Sequence, residues 1–303
     1  MYDIIVIGAG PAGLTAAIYG RRAEKSVLII EKSTFGGQIT HSPRVENYPG
    51  FVQMSGTEFA DKLVDQALTQ GAEIELNCVK GIKGTGGDYT VICEDAEYKA
   101  KSVIIATGSH HRQLGIDREN DFIGEGISYC AVCDGAFYKG QNVAIVGGGN
   151  SALQEAVMLS DICASVTVVQ NLDFLTGEKK LINDIAQKDN ISVILSHTVE
   201  SIIAEGNTFK GIVIKNGDKA TELFVDGVFV AIGQKPENEP FKDILELNEY
   251  GYIVSAEDCL PKTDLKGIFV AGDCRTKTIR QITTATADGA VAALNACRFI
   301  DSL

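Results

Sequence analysis

YDIIVIGAGPAG, residues 2–13, decides the fold because it joins a short apolar run to glycines at fixed spacing. The run at residues 2–8 is typical of a strand buried in a parallel sheet. Residues 14–22 favour a helix, and a second apolar run at 26–30 ends at Glu31. Such glycines let the backbone approach a pyrophosphate, the helix N-terminus supplies N–H groups, and the acid can bind a ribose hydroxyl. The segment therefore predicts a βαβ dinucleotide-binding unit.

The same pattern returns 139 residues later. NVAIVG at 142–147 repeats the first strand, and Gly8, Gly10 and Gly13 correspond to Gly147, Gly149 and Ala152. A helix is predicted at 152–160 and a strand at 165–169. The repeat predicts two dinucleotide-type domains in one chain.

The residue at the end of the second copy's second strand differs from that of the first. Glu31 corresponds to Gln170, which is followed by NLDFL at 171–175. A site for NAD usually has an acid here, and a site for NADP has an arginine nearby. The second copy therefore keeps its glycines without the usual selectivity residue, although Gln170 could still bind a ribose. Lys179 and Lys180 could reach a phosphate.

CAVCD at residues 130–134 precedes the second glycine motif. Two cysteines at this spacing can open and close a disulfide by thiol exchange, and Asp134 can carry the proton. Half of a zinc site is disfavoured because no second Cys or His pair has suitable spacing. A permanent structural disulfide is disfavoured because a reducing cytoplasm would open it. We therefore interpret Cys130 and Cys133 as a redox pair that receives electrons from a bound cofactor.

The composition describes an acidic globular protein. Among 303 residues, 45% are hydrophobic and 22% are charged, and the net charge is −13. This charge argues against nucleic acid or an anionic membrane as the main partner. No apolar run reaches the roughly 18 residues of a membrane span, and we expect neither a signal peptide nor secretion. The scattered cysteines outside the pair fit a reducing cytoplasm, where we expect the protein to be.

Three further apolar runs end in glycine-containing turns. They lie at 102–108, 227–233 and 267–273. Asp273, at the end of the last run, is placed to bind the ribityl or phosphate region of a cofactor, although a plain turn aspartate is the alternative. Residues 281–297 predict a closing helix against the first domain.

Taken together, these motifs resemble those of low-molecular-weight thioredoxin reductases, of the flavoprotein disulfide reductase superfamily, along essentially the whole chain. The motifs are GAGPAG at 8–13, GGQ at 36–38, VENYPG at 45–50, ATG at 106–108, CAVCDG at 130–135, GD at 272–273 and RQ at 280–281. The resemblance implies an α/β fold of two Rossmann-like domains, of the three-layer ββα type, with the second inserted into the first. It implies an FAD-binding domain at 1–113 and 242–303, and an inserted NAD(P)-type domain at 114–241 that carries the redox pair.

The resemblance also implies the site residues and the partners. FAD is the implied cofactor, and the residues expected to contact it are Gly8, Gly10, Pro11, Ala12, Gly13, Glu31, Gly37, Gln38, Asn47, Ala106, Thr107, Gly108, Gly272, Asp273, Arg280, Gln281 and Ile282. Cys133 is the cysteine nearer the flavin, Cys130 attacks the thioredoxin disulfide, and Asp134 is the acid–base residue. Family members are usually homodimers. Because the cysteine pair must face first the flavin and then thioredoxin, we expect a domain rotation with hinges near 113–116 and 240–243.

The chain departs from this resemblance where ordinary members hold NADPH. They have a segment rich in His and Arg after the second strand of the second domain, and this chain has QNLDFL at 170–175. A minority branch that shares this feature is reduced by ferredoxin and does not use NADPH. We therefore expect ferredoxin as the donor. The alternative is NADPH or NADH through atypical contacts, which the retained glycines favour.

Two basic segments leave alternatives open. Arg275, Lys277 and Arg280 form a local cluster, which is either FAD contact with solvated charge or a docking patch for an acidic partner such as ferredoxin. HHR at 110–112 is predicted as a solvent-exposed turn, or as a contact for the cofactor or ferredoxin. A reductase of other small disulfide partners, a ferredoxin–NADP reductase-like enzyme and a non-catalytic flavin sensor are the remaining hypotheses, and turnover of a protein disulfide separates the sensor from the enzymes.

Overall fold

The computed structural model describes residues 1–42 and 45–303, which form two compact units. Unit 1 comprises Met1–His110 and Lys235–Leu303, and unit 2 comprises His111–Gln234. Unit 2 is therefore inserted into the sequence of unit 1. The domain boundaries at 113 and 241 lie a few residues further along the chain than these crossings, and as the limits of moving bodies they stay a prediction.

The elements follow one another in three segments. The first segment contains β1 (Tyr2–Ile7), α1 (Pro11–Arg22), β2 (Val27–Glu31), α2 (Gly56–Thr69), β3 (Glu73–Leu76), β4 (Val79–Thr85), β5 (Asp88–Cys93), β6 (Glu97–Ile105) and β7 (Ser109–His111). The second contains β8 (Ile127–Ser128), α3 (Ala131–Asp134), β9 (Asn142–Val146), α4 (Asn150–Ser160), β10 (Ser165–Val169), α5 (Lys179–Ala186), β11 (Ile191–Ile194), β12 (Thr198–Glu205), β13 (Thr208–Asn216), β14 (Lys219–Phe224) and β15 (Gly227–Val230). The third contains β16 (Gln234–Pro236), β17 (Ile268–Val270) and α6 (Ile282–Asp301).

Unit 1 has a central parallel sheet with a different layer on each face. The parallel strands run in the order β3-β2-β1-β6-β17, and the first half of β6 also pairs antiparallel with β5, which pairs with β4. Alternate residues of β1 point to opposite faces. Ile4 and Val6 pack with α1 and α6, whereas Ile5 and Ile7 pack with β4 and β5. Both faces of β1 are therefore buried from Ile4 to Ile7, which is why these four residues are all apolar.

Unit 2 repeats this arrangement. Its parallel strands run in the order β11-β10-β9-β15-β8, and the antiparallel strands β12-β13-β14 form a second sheet. Val143 and Ile145 of β9 pack with α4, and Ala144 and Val146 pack toward the antiparallel sheet. The expected fold class, two three-layer units of the Rossmann type, is confirmed.

Two helices begin earlier than the sequence pattern predicts, and one ends later. α1 begins at Pro11 rather than at residue 14, because proline has no N–H to leave unpaired in a first turn. α4 begins at Asn150 rather than at residue 152, and α6 continues to Asp301. None of the helices in the described ranges has the length and apolar character that crossing a bilayer requires.

Candidate functional site

The first glycine turn lies between β1 and α1 and is tight at both ends. Gly8 has a φ of +108°, and a Cβ there would lie 2.4 Å from the carbonyl oxygen of Ala106. A Cβ at Gly13 would lie 1.9 Å from the carbonyl oxygen of Gly8. At Gly10 the nearest atoms to such a Cβ are 4.0 Å away. The turn is thus closed around Gly8 and Gly13 and open at Gly10, where α1 begins without a side-chain cap.

Glu31 is fixed beside this turn by the end of β2. Its carboxylate is 8% exposed and accepts hydrogen bonds from the Ala9 N–H at 2.8 Å and from the Ser33 N–H at 3.0 Å. Since each carboxylate oxygen has a second acceptor position, Glu31 can also receive a hydroxyl from a ligand. This is the position that a ribose-binding acid takes in a dinucleotide fold.

A second glycine pair, Gly36 and Gly37, approaches the first turn from the side. Both have positive φ, and a Cβ at Gly37 would lie 3.1 Å from Cα of Gly10. Gln38 follows, with its Nε2 2.6 Å from Nδ1 of His110. His110 and His111 of the HHR segment lie in strand β7, which pairs with β16, whereas Arg112 lies beyond the strand and is exposed.

The segment after β6 is anchored by a residue that the sequence did not single out. Thr107 Oγ1 donates to Oδ1 of Asn238 at 3.1 Å, and Asn238 Nδ2 donates to the carbonyl of Cys274 at 2.7 Å. Asn238 is 1% exposed. It therefore joins the ATG segment to the turn that contains Asp273. Gly108 has a φ of +67° with open space where its Cβ would be.

The third segment places Asp273, Arg280 and Gln281 around the start of α6. Oδ1 of Asp273 and Nε of Arg280 are buried and have no hydrogen-bond partner among the described residues. Burial raises the pKa of Asp273, against the opposing charge of Lys277. Gln281 caps α6, which begins at Ile282, and its Oε1 accepts from Asn47 Nδ2 at 3.3 Å. Asn47 and Gln281, separated by 234 residues in sequence, are thus in contact.

Arg275 and Lys277 belong to an interior charge network rather than to a solvated or docking patch, which corrects the expectation for this cluster. Arg275 is 6% exposed, and its Nε and Nη2 donate to both carboxylate oxygens of Asp288 on α6 at 2.9 and 3.0 Å. Lys277 Nζ and the Gly272 N–H each donate to Oδ2 of Asp288 at 3.0 Å. Burial alone would raise the pKa of Asp288, but the bonds from Arg275 and Lys277 lower it. The carboxylate therefore ties the turn at Gly272 to α6.

These features fit a bound FAD. The open position at Gly10 and the uncapped start of α1 suit a pyrophosphate, and Glu31 suits a ribose. The buried Asp273 oxygen and Arg280 nitrogen need hydrogen-bond partners that the described chain does not supply. Four predicted contact residues from separate segments, namely Glu31, Gly37, Ala106 and Gly272, thus lie against the turn of residues 8–13.

The cysteine pair lies on the short helix α3 of unit 2. Cys130 and Cys133 form a disulfide with their Cα atoms 5.3 Å apart. Cys130 is the N-cap of α3, and the Cys133 N–H lies 3.2 Å from its Sγ. A sulfur that accepts an N–H is stabilised when it becomes a thiolate. Both cysteines are half-buried, and Val132 between them is exposed. No group of three or more metal-ligating side chains occurs within residues 1–42 and 45–303.

Asp134 follows the pair and is held by Ser128. The Ser128 hydroxyl donates to Oδ2 of Asp134 at 2.7 Å, and Oδ1 is buried with no partner among the described residues. Burial raises the pKa of Asp134, and the bond from Ser128 opposes this rise. A raised pKa makes a carboxyl more ready to hold a proton than an exposed one, which is what a proton carrier needs.

Five of the other six cysteines are buried, and burial raises the pKa of all five thiols. Burial raises the pKa of Cys259 to about 12, and those of Cys93 and Cys274 to about 11. Cys274, which follows the Gly272-Asp273 turn, is fully buried. Such thiols are inert at neutral pH, so the buried cysteines are not candidates for the redox chemistry.

The second glycine turn has the backbone of the first but a different neighbour. Gln170 is 4% exposed; its Nε2 donates to the carbonyl of Phe174 at 3.3 Å, and its Oε1 accepts the Asn171 N–H at 3.2 Å. A Cβ at Gly148 would lie 2.6 Å from the Gln170 side chain. The Gln170 amide is thus used by its own loop, and the loop returns to the turn through the Thr176 N–H, which donates to Gly148 O at 2.8 Å.

A disulfide on one dinucleotide-type unit, in a chain whose other unit is shaped for FAD, defines a disulfide oxidoreductase of the two-unit class. Residues 2–289 match the family described as pyridine nucleotide-disulphide oxidoreductase. The chain belongs to that family.

Relatives of known description span the whole chain. It is 42% identical over 301 residues to a 34.2 kDa protein in the rubredoxin operon of Clostridium pasteurianum, covering 98% of this chain and 97% of that one. It is 40% identical over 305 residues to a thioredoxin reductase of Listeria innocua, covering 100% and 95%. The crystal structure of thioredoxin reductase from Streptococcus pyogenes matches with a TM-score of 0.95 at 38% identity, covering 100% and 99%.

Proposed function

We propose that this protein is an FAD-dependent thioredoxin reductase that passes electrons to the Cys130–Cys133 disulfide and on to thioredoxin. The observation that carries the proposal is the half-buried disulfide on α3 with the buried carboxyl of Asp134 beside it. The full-length likeness to thioredoxin reductases supports thioredoxin as the acceptor.

The residues of unit 2 perform the exchange. With the pair reduced to two thiols, Asp134 takes the proton of Cys130, whose thiolate attacks one sulfur of the thioredoxin disulfide. The thioredoxin disulfide breaks, and the leaving thiolate takes the proton from Asp134. Asp134 then takes the proton of Cys133, whose thiolate attacks Cys130 Sγ and re-forms the enzyme disulfide. The second thioredoxin thiolate takes that proton, so two protons and two electrons move and Asp134 ends as it began.

The residues of unit 1 hold the cofactor in this proposal. FAD, when bound, supplies the two electrons that open the disulfide, and it can receive them singly or as a pair. The turn from Gly8 to Gly13 and the start of α1 bind the pyrophosphate, and Glu31 binds the ribose. The unpartnered Oδ1 of Asp273 and Nε of Arg280 would form hydrogen bonds with the remainder of the FAD molecule.

For the donor we propose reduced ferredoxin. Gln170 and the five residues after it stand where ordinary members of the family have a basic segment, and none of the six carries a positive charge for a 2′-phosphate. The retained turn at Gly147 and Gly149 favours the alternative, which is NADPH or NADH held without those contacts. We further propose a cytoplasmic homodimer in which unit 2 rotates about hinges near 113–116 and 240–243.

Anaerobic flavin spectroscopy tests the proposal. The holoenzyme is mixed separately with NADPH, NADH and chemically reduced ferredoxin, with thioredoxin present, and the visible flavin absorbance and thioredoxin thiols are followed. We expect rapid flavin bleaching and thioredoxin reduction with ferredoxin alone. The Cys133→Ser variant should still bleach but form no thiols. Fast turnover with either nucleotide would overturn the proposal that ferredoxin is the donor. Flavin bleaching without the formation of thioredoxin thiols in the wild type would overturn the proposed reductase activity.

A further inference from the structure

The hydroxyl of Ser128 lies between the backbone of Cys130 and the carboxyl of Asp134. Ser128 ends β8 and is 3% exposed. Its Oγ accepts the Cys130 N–H at 3.1 Å and lies 2.7 Å from Oδ2 of Asp134. A hydroxyl has a single hydrogen, and the carbonyl of Cys130 is a poorer acceptor for it at 3.5 Å. The hydrogen of Ser128 is therefore directed to Asp134.

This contact makes the two oxygens of Asp134 unequal. Oδ2 accepts a hydrogen bond, so it is not the oxygen that holds a proton when the carboxyl is neutral. Oδ1 is buried and has no partner in the described part of the chain. The acidic proton of Asp134 is thus assigned to Oδ1, and the carboxyl is kept from turning about its last torsion, which is otherwise broad.

Other titratable groups lie near Asp134, in the turn after α3 and on α4. In the turn after α3, burial and then the charge of Asp134 raise the pKa of Tyr138 to about 12, and Asp226 is also near that ring. On α4, which packs against α3, burial raises the pKa of Glu155 to about 7. Of the groups that shift the pKa of Asp134, Ser128 is the one that does so by a hydrogen bond.

We propose that Ser128 is a positioning residue for disulfide exchange: it holds Asp134 by Oδ2, so that protons pass to and from the cysteine and thioredoxin sulfurs at Oδ1. The inference rests on the proposed function of Asp134 as the proton carrier. Each proton that Oδ1 takes from a thiol is given to a leaving thiolate, so no further reactant is needed.

Ser128→Ala tests the inference, because it removes one oxygen and adds no bulk. Difference infrared spectroscopy of the oxidised holoenzyme follows the carboxyl titration, with Asp134→Asn and Glu155→Gln used to assign the bands. We expect the Asp134 midpoint to rise by about one pH unit in Ser128→Ala, since the charged form loses a hydrogen bond. We expect Ser128→Thr, which keeps the hydroxyl, to restore the midpoint.

The exchange rate is measured separately by mixing prereduced holoenzyme with oxidised thioredoxin across pH. We expect Ser128→Ala to slow the exchange about tenfold and to move its pH profile by the same shift as the carboxyl. The matched control is Ser160→Ala, another buried serine of unit 2, whose hydroxyl donates to Val157 O at 2.6 Å. It should move neither quantity.

The outcomes separate the inference from the function on which it rests. If Asp134→Asn slows exchange but Ser128→Ala leaves the midpoint and the pH profile in place, the role of Ser128 is overturned and the proposed function stands. If Asp134→Asn exchanges at the wild-type rate, Asp134 is not the proton carrier. The proposed roles of Asp134 and of Ser128 are then both overturned.

Discussion

The two glycine turns of this chain begin alike and have different surroundings. Gly8 and Gly147 both have positive φ, and a Cβ at either would lie 2.4 Å from the carbonyl oxygen that follows the neighbouring strand, Ala106 in unit 1 and Ala231 in unit 2. The first turn is faced by Glu31, whose carboxylate binds the Ala9 N–H. The second is faced by Gln170, whose amide is bonded to its own loop. The glycine pattern thus specifies a turn, and the residue that reaches it decides which ligand it can bind.

The helices that follow the two turns differ as well. In unit 1, α6 packs so closely on α1 that a Cβ at Gly289 would lie 2.1 Å from the carbonyl of Ala12. In unit 2, α4 packs against α3 and α5. Glu155 of α4 occupies the position that corresponds to Ala16 of α1, which is fully buried. The second copy therefore includes a carboxyl where the first has a methyl group.

The largest expected effect comes from exchanging the residue at the third glycine position, which is Gly13 in the first turn and Ala152 in the second. Gly13→Ala places a Cβ 1.9 Å from the carbonyl of Gly8, so the turn must open. We expect FAD affinity to fall at least about a hundredfold, from about 3 kcal/mol of strain, with loss of visible flavin absorbance in the purified protein. Ala152→Gly is the matched control. It should cost about 1 kcal/mol of stability and keep the flavin. Equal flavin content in both variants would contradict this difference between the turns.

A smaller effect is expected from giving the second turn the charge it lacks. Asn171→Arg combined with Leu172→Arg adds two cations after β10, and Leu172 is already 40% exposed. We expect NADPH to bind about tenfold more tightly, because an arginine–phosphate bond contributes roughly 1.5–3 kcal/mol. Titration calorimetry with NADPH measures this. NADH lacks the 2′-phosphate and should bind as weakly as before.

The control for the added charge is the variant in which Asn171 and Leu172 are both changed to glutamine. If the arginine variant binds NADPH no better than the glutamine variant does, the closed loop around Gln170 excludes the nucleotide, and the missing charge is not the reason.

The last prediction concerns stability rather than binding, and involves the half-buried carboxyl of Glu155 on α4. Burial raises the pKa of Glu155 from 4.5 to about 7. The folded state therefore prefers the neutral acid, and the free energy of unfolding falls as pH rises from about 4.5 to about 7. Glu155→Gln removes this penalty, and we expect it to stabilise the protein by about 1–3 kcal/mol above pH 7 and by nothing below pH 4.5. Denaturant unfolding at both pH values measures this. A gain of equal size at both would show that packing rather than charge is responsible.

Local sequence was sufficient to predict the features that depend on residues close together in the chain. The turn of residues 8–13 follows from its glycine spacing, and the carbonyl of Gly8 that requires Gly13 lies within the same βαβ unit. The repeat 139 residues later follows from the same pattern. The disulfide follows from a spacing of three residues on one helical turn. The prediction for Arg275 and Lys277 was wrong, because their partner Asp288 lies on another element and sequence reading treated them as surface charges.

By itself, the sequence determined two dinucleotide-type units, the spacing of Cys130 and Cys133, and the absence of the usual basic segment after β10. Only the tertiary structure decided three hydrogen bonds: Thr107 to Asn238, the Gly272 N–H to Asp288 on α6, and Ser128 to Oδ2 of Asp134. The physical reason is that short-range patterns reflect backbone sterics and burial, which each segment expresses alone. Hydrogen bonds of buried polar groups depend on which distant segments meet, and those meetings exist only in the folded chain.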